Sequence, residues 1–258
     1  MRKLYVNYPK DEWDAISRYA KNDYDMNGRS KESTNYDIKQ IIKKLNFKPK
    51  DIVLDIGPGN GILFKFLLET GNIKKGIGID PGENSVLRLK TLFKNDPKIN
   101  FIKSEAYEIP FKNKTFDKIV MNSVIQYFYN IENVVKTLKE IKRVSKSHAT
   151  IYIGDVPSTN DLYKLGVKNS LRRIFFNIKK EGIFKTLRKI SIMIKKRVNE
   201  PKIIVKNQST IFFKPEEFIK LCRKNNLYGN FERHYSIEKG KIVETNRFDY
   251  IFHIKNDK

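Results

Sequence analysis

A chain of 258 residues with 40% hydrophobic residues, 17 Phe and 13 Tyr can bury a substantial core, which fits one α/β domain with elaborations and excludes a collagen-like or broadly disordered protein. The 52 Lys and Arg against 29 Asp and Glu give a formal charge of +23, which points either to an anionic partner or to a compositional drift toward Lys, Asn and Ile. The lone Cys222 excludes an intrachain disulfide framework and a cysteine metal cluster. With no long apolar run and no apolar signal core in Met1 to Lys10, a cytoplasmic protein without a metal is expected.

Residues 11–24 carry Trp13, Ile16, Tyr19 and Ala20 at helical spacing, and the polar stretch 22–36 reads as a loop. A helix over 37–45 places Ile38, Ile41, Ile42 and Leu45 on one face. Short apolar strands then alternate with helices: a strand at Ile52 to Leu54, a helix at 62–69, a strand at 76–79 and a helix at about 84–93. Strands at 99–102 and 116–121, a helix at about 131–144 and a strand at 149–153 continue the rhythm. The alternation predicts βαβ units and a parallel sheet covered on both faces. Residues 161–206 hold fourteen Lys or Arg against three acids, with apolar residues at near-helical spacing, and read as a basic helical insertion. Pro215 opens a helix to about Asn225, and 231–237 and 247–254 read as two more strands.

The first motif is Asp55-Ile56-Gly57-Pro58-Gly59-Asn60-Gly61, which follows a strand and opens a helix. A dinucleotide loop wants G-x-G-x-x-G, but here the third glycine comes one residue early and a carboxylate precedes the first. A pyrophosphate has no use for that carboxylate, whereas a ligand carrying an ammonium and a sulfonium does. Asp80, with Pro81 after it, ends the second strand, where a carboxylate can accept hydrogen bonds from ribose hydroxyls or cap the next helix.

Two further segments, 101–111 with Glu105 and Ala106 and 115–128 with Asn122 and Ser123, precede Leu138 to Val144. In order and spacing these resemble the class I S-adenosylmethionine-dependent methyltransferases, most closely the broad subgroup acting on small molecules (type 11-like). The resemblance covers residues 37–155 well and 208–255 loosely. It implies a Rossmann-like, seven-stranded, mostly parallel sheet with helices on both faces and the last strand antiparallel. Residues 1–36 would form an N-terminal lid segment, 37–155 the cofactor-binding core, 156–207 the insertion and 208–258 the C-terminal part of the sheet.

The resemblance also implies roles. Asp55, Gly57, Pro58, Gly59, Asn60 and Gly61 would line the methionine and ribose part of S-adenosyl-L-methionine, and Asp80 with Pro81 would hold the ribose. Glu105, where the family usually has Asp, and Ala106 would meet the adenine, and Asn122 with Ser123 the methionyl moiety. Gln126, Tyr127 and Tyr24 are candidates for the acceptor. An alcohol acceptor calls for a general base, for which Asp155 and His234 are the candidates. His148 is expected to be structural or exposed and His253 packed.

The expected reaction is methylation of a small, anionic acceptor, such as oxygen of a saccharide or of a phosphorylated or nucleotide-activated metabolite. An RNA methyltransferase and a membrane-peripheral enzyme acting on a lipid-linked acceptor are the other readings. Stacking motifs of RNA readers are not evident, so nucleic acid is not the expected partner. The basic insertion could pack over the acceptor pocket, hold an anionic acceptor or lie on an anionic membrane.

Overall fold

The computed structural model describes residues 5–6, 13–14, 16–18, 30–128, 130–158, 204–205 and 211–254. Tyr24, nearly all of the lid segment before Ser30 and nearly all of the basic insertion therefore lie outside the described residues. Seven strands form one sheet: β1 (Ile52–Ile56), β2 (Lys75–Asp80), β3 (Ile99–Lys103), β4 (Phe116–Asn122), β5 (Ser145–Pro157), β6 (Leu227–Glu238) and β7 (Lys241–Ile254). Their order is β3-β2-β1-β4-β5-β7-β6. Pairings among β1 to β5 are parallel, and β7 alone runs against its neighbours β5 and β6. The sheet is the seven-stranded, mostly parallel one the sequence predicts. A separate pair of two-residue strands, Tyr5–Val6 and Ile204–Val205, is also parallel.

Helices α1 (Lys31–Leu45), α2 (Ile62–Glu69) and α3 (Glu83–Leu92) cover one face, and α4 (Ile131–Val144) and α5 (Pro215–Lys224) cover the other. Because both faces are covered, β1 has no polar side: Val53, Leu54 and Ile56 are all buried. Val53 joins Ile41, Leu67 and Phe101 in the first core layer, and Leu54 joins Ile119, Leu138 and Phe218 in the second.

Several boundaries differ from the sequence expectation, among them both ends of β5 and the start of β6. Helix α1 starts at Lys31, inside the stretch 22–36 read as loop. Ser30 caps it by accepting from Ser33 N at 3.1 Å, and its first turns bury the polar residues Ser33, Thr34 and Asp37, so no apolar periodicity marks them. Strands β6 and β7 extend to 238 and from 241, joined by the two-residue turn Lys239-Gly240, both at positive φ (52° and 74°). Such a turn matches the twist of a tight hairpin. Residues 241–247 are exposed or half-buried and mostly polar, with only Ile242 and Val243 apolar, which hid the strand. His253, expected to be packed, points to solvent from β7, whereas Phe252 beside it is fully buried. His148 is exposed and pairs with Asp117 at 2.8 Å at the sheet end away from the glycine loop.

Candidate functional site

The carboxyl ends of β1, β2 and β4 carry Asp55, Asp80 and Asn122, and these open onto one cavity of about 560 Å³. That volume suits a small-molecule ligand. After β1 the chain turns through three glycines at positive φ: Gly57 (70°), Gly59 (54°) and Gly61 (72°). Gly57 N donates to Ile79 O at 2.9 Å, tying the loop to the next strand. A Cβ on Gly57 would meet Val124 Cγ2 at 2.5 Å, whereas one on Gly59 would meet nothing within 4 Å.

Of the residues expected to hold the cofactor, Asp55, Gly57, Pro58, Gly59 and Asn60 line the cavity. So do Asp80, Pro81, Glu105, Ala106, Asn122 and Ser123. Gly61 does not. It serves as the N-cap of α2, and a Cβ there would stand 2.7 Å from Phe93 Cε2 and 3.0 Å from Leu89 Cδ2. Its role is close packing of helix against helix. Gly61→Ala is expected to cost about 1–3 kcal/mol in denaturant unfolding, from a positive φ and an overfilled contact; a neutral result would refute the packing role.

Electrostatics mark the same end of the sheet. Loss of water around Asp55, with Asp80 nearby, pushes its carboxyl up to about 7. Asp80 is pushed up to about 6 by burial, against a 2.8 Å hydrogen bond from Gly82 N, with Asp14 and Glu105 adding to the rise. Two desolvated carboxylates side by side are stabilised by a cationic or multiply donating ligand. Asn122 Oδ1 and Asn60 Nδ2 are buried, and among the described residues neither has a hydrogen-bond partner. These groups fit an amino acid ammonium, ribose hydroxyls and a sulfonium.

Residues near the N-terminus complete the wall. Trp13 lines the cavity and meets the Tyr127 ring edge-on at 5.5 Å between centroids. Helix α3 begins at Gly82, which has no side chain to cap it, and Asp14 supplies that cap by accepting from Asn84 N at 2.7 Å. Ser17 Oγ and Ser85 Oγ are 2.6 Å apart.

Beside Glu105 and Ala106, Arg143 of α4 donates to Phe111 O at 2.6 Å and Ile109 O at 2.8 Å, and Glu140 accepts from Ile109 N at 2.8 Å. The pair staples the loop that follows Glu105 and Ala106 to a rigid helix.

Of the acceptor candidates, Tyr127 lines the cavity. Gln126 does not: it is 1% exposed, with Nε2 donating to Ser123 Oγ at 3.0 Å and its carbonyl accepting from Ile211 N at 2.9 Å. It supports the wall from behind. Asp155 and His234 are both buried and neither lines the cavity. They stand behind Asp37 and Arg247, which do. Asp37 and Arg247 escaped the sequence reading because one looks like a helix-start acid and the other like a strand-end cation. For Asp37 the signal that could have found it was a polar residue on the same helix face as Ile41 and Leu45.

A family model described as a methyltransferase domain matches residues 54–153. An uncharacterized protein of Methanocaldococcus jannaschii is 31% identical over 184 residues, covering 70% of this chain and 64% of that protein. The chain spans less than two thirds of the length of this and other curated relatives it matches.

Among solved structures, one from the complex of the Haloferax volcanii Trm112 methyltransferase activator with a methyltransferase superposes with a TM-score of 0.65. It has 15% identity and covers 97% of this chain and 100% of its own. A SAM-dependent methyltransferase of Methanosarcina mazei gives a TM-score of 0.59 at 18% identity, covering 83% and 97%. These likenesses concern the fold, which agrees with the sheet order and the glycine loop described above. Residues 54–153 therefore match a methyltransferase domain, within a chain that shares the fold of these solved structures.

Proposed function

We propose that this protein transfers a methyl group from S-adenosylmethionine to a small acceptor bound in the same cavity. The observation that carries the reading is the pair of desolvated carboxylates, Asp55 and Asp80, beside the partnerless polar atoms of Asn60 and Asn122. The cofactor supplies an activated methyl on a cationic sulfur. The chain's own part is to hold, align and shield. Asp55 would take the ammonium or sulfonium side, Asp80 the ribose, and Glu105 with Ala106 the adenine. Trp13 and Tyr127 would exclude water from the reacting end.

The acceptor we favour is small and carries anionic character, as an oxygen nucleophile of a saccharide, phosphorylated or nucleotide-activated metabolite does. Support comes from the basic segment 161–206 in the sequence and from Arg247 at the cavity. The test is to incubate the purified protein with S-adenosylmethionine and fractionated metabolite pools, reading formation of S-adenosylhomocysteine. Turnover should require an acceptor fraction and should vanish in Asp80→Ala. Absence of cofactor binding in the wild type would end the proposal.

A further inference from the structure

Behind the wall made by Asp37 and Arg247 lies a buried charge cluster that the cofactor residues do not include. Asp249 of β7, 2% exposed, is its centre. Its Oδ1 accepts from Asp155 N at 2.9 Å and stands 2.9 Å from His234 Nδ1. Its Oδ2 accepts from Lys44 Nζ at 2.5 Å, and Lys44 also pairs with Glu232 at 2.8 Å. His234, 4% exposed, turns its other nitrogen toward two carboxylates: Nε2 is 3.7 Å from Asp37 Oδ1 and 3.7 Å from Asp155 Oδ1. Arg247 pairs with the Asp155 carboxylate and donates from Nε and Nη2 to its carbonyl at 2.9 and 2.6 Å.

The result is an Asp249–His234–Asp37 row that runs from the interior to the cavity. Buried ion networks of this kind give no more stability than an apolar core of the same volume, so stability alone does not account for one placed here. Among the described residues no group is arranged to hold a metal ion. Burial opposes the charged imidazole. The Asp249 hydrogen bond and the charges of Asp155, Asp249 and Asp37 outweigh it and raise the His234 pKa. Lys44 and Arg247 from α1 and β7, Glu232 from β6 and Tyr152 from β5 complete the charged and titratable surroundings. The imidazole facing Asp37 is thus biased toward its cationic form, and that form favours an ionised Asp37.

Resting on the methyltransferase reading above, we propose that Asp37 is the cavity carboxylate that takes the proton from a protic acceptor group, hydroxyl or ammonium. His234 and Asp249 act behind it as positioning residues. In the transfer, the acceptor's X–H bond breaks and the proton passes to an Asp37 carboxylate oxygen. The acceptor's electron pair forms the bond to the methyl carbon, and the methyl–sulfur pair remains on sulfur as a neutral thioether. Asp155, by contrast, is held by Arg247 and directs that guanidinium, rather than meeting the acceptor.

The test needs no acceptor. Sinefungin carries an ammonium group where the methylsulfonium stands, and S-adenosylhomocysteine has only a neutral thioether there. Calorimetric titration of the full chain should show sinefungin preferred over S-adenosylhomocysteine. Asp37→Asn should keep the affinity for S-adenosylhomocysteine and lose roughly tenfold or more of the preference, about 1.4 kcal/mol. In His234→Gln the neighbouring cation is gone, so Asp37 protonates more readily and the preference should fade at a higher pH than in the wild type. A purely structural His234 would lower stability without moving that profile. Failure of the wild type to bind S-adenosylhomocysteine would overturn the methyltransferase reading itself. Binding without a sinefungin preference, or a preference that survives in Asp37→Asn, would overturn the role of Asp37 alone. Even if the variants do not fold, a wild type without the preference overturns the role of Asp37; a preference that is present is assigned to Asp37, rather than to Asp55, by its loss in Asp37→Asn.

Discussion

Asp55→Asn is expected to make the ligand-free protein more stable at pH 8 while weakening S-adenosylmethionine binding about 100-fold, or ~2.7 kcal/mol. Both effects come from one carboxylate held out of water. Its folded-state pKa, about 7, lies above the ordinary value of 3.8. A raised acid contributes stability below its unfolded pKa and loses that contribution as pH climbs through the folded value. By pH 8 the side chain is ionised in a site that disfavours its charge. Every tenfold weakening of the acid on folding corresponds to about 1.4 kcal/mol, so the gain in Asn should be on the order of 2–4 kcal/mol at pH 8 and near zero at pH 4. A cationic ligand reverses the balance by supplying the missing countercharge, and its binding should release a proton between pH 6 and 7. The measurement is a set of denaturant titrations of both proteins across pH, with calorimetry in two buffers of different ionisation enthalpy. Equal stabilities at pH 8, together with equal affinities, would remove Asp55 from the site.

Asp249→Ala should destabilise the protein by about 3–5 kcal/mol, the usual cost of removing one member of a buried charged set. The substitution strands Lys44 and His234 together with no anion between them and leaves Asp155 N without its acceptor. The pH dependence follows from two pKa changes of opposite sense. Burial works against the Asp249 carboxylate, but His234 and Lys44 hold it well below its ordinary value, so its contribution is present above about pH 4 and fails only as pH falls through the lower folded value. The His234 pKa is raised, so its share is complete below about 6.5 and is lost as pH rises through the folded value. The penalty of Asp249→Ala should therefore be larger at pH 6 than at pH 9. Urea unfolding at the two values checks this, and a penalty that grows toward pH 9 would contradict the His234–Asp249 coupling. Asp249→Asn, which keeps an acceptor for Asp155 N, should fall between wild type and Ala.

The cofactor half of the molecule was legible because its chemistry is local. Asp55 to Gly61 spans one turn, and Asp80 and Asn122 sit at strand ends that apolar runs announce. Gly61 was the exception: its positive φ was legible, but the Phe93 and Leu89 side chains that occupy the missing Cβ volume come from another helix. The wall around Asp37 and Arg247 was far less legible. Asp37 escaped notice because α1 begins at Lys31 and its first turns bury polar residues that carry no apolar rhythm. Asp249 alternates with the buried Phe248 and Tyr250 and looks like the solvent face of β7, yet the opposite face is covered too. His234 and Asp155 were singled out as reactive groups, and the structure places them one layer behind the surface they were expected to form. A periodicity identifies which side of a strand is apolar. It does not say whether the polar side meets water or another element.

The insertion of β7 between β5 and β6 also sets an order of assembly. The glycine loop and Asp80 are joined by successive parallel strands, and Asn122 by the pairing of β4 with β1, all across shorter stretches of chain than the contacts of Asp249 with Asp155 and Lys44. The wall around Asp37 depends on pairings between residues far apart in the chain: Arg247 with Asp155 at a separation of 92 positions, and Lys44 with Asp249 at 205. Both pairings need β7 in place beside β5. A refolding chain should thus bring the glycine loop, Asp80 and Asn122 together before it closes the charge cluster around Asp249, so the cluster is the later-formed part of the cavity's surroundings.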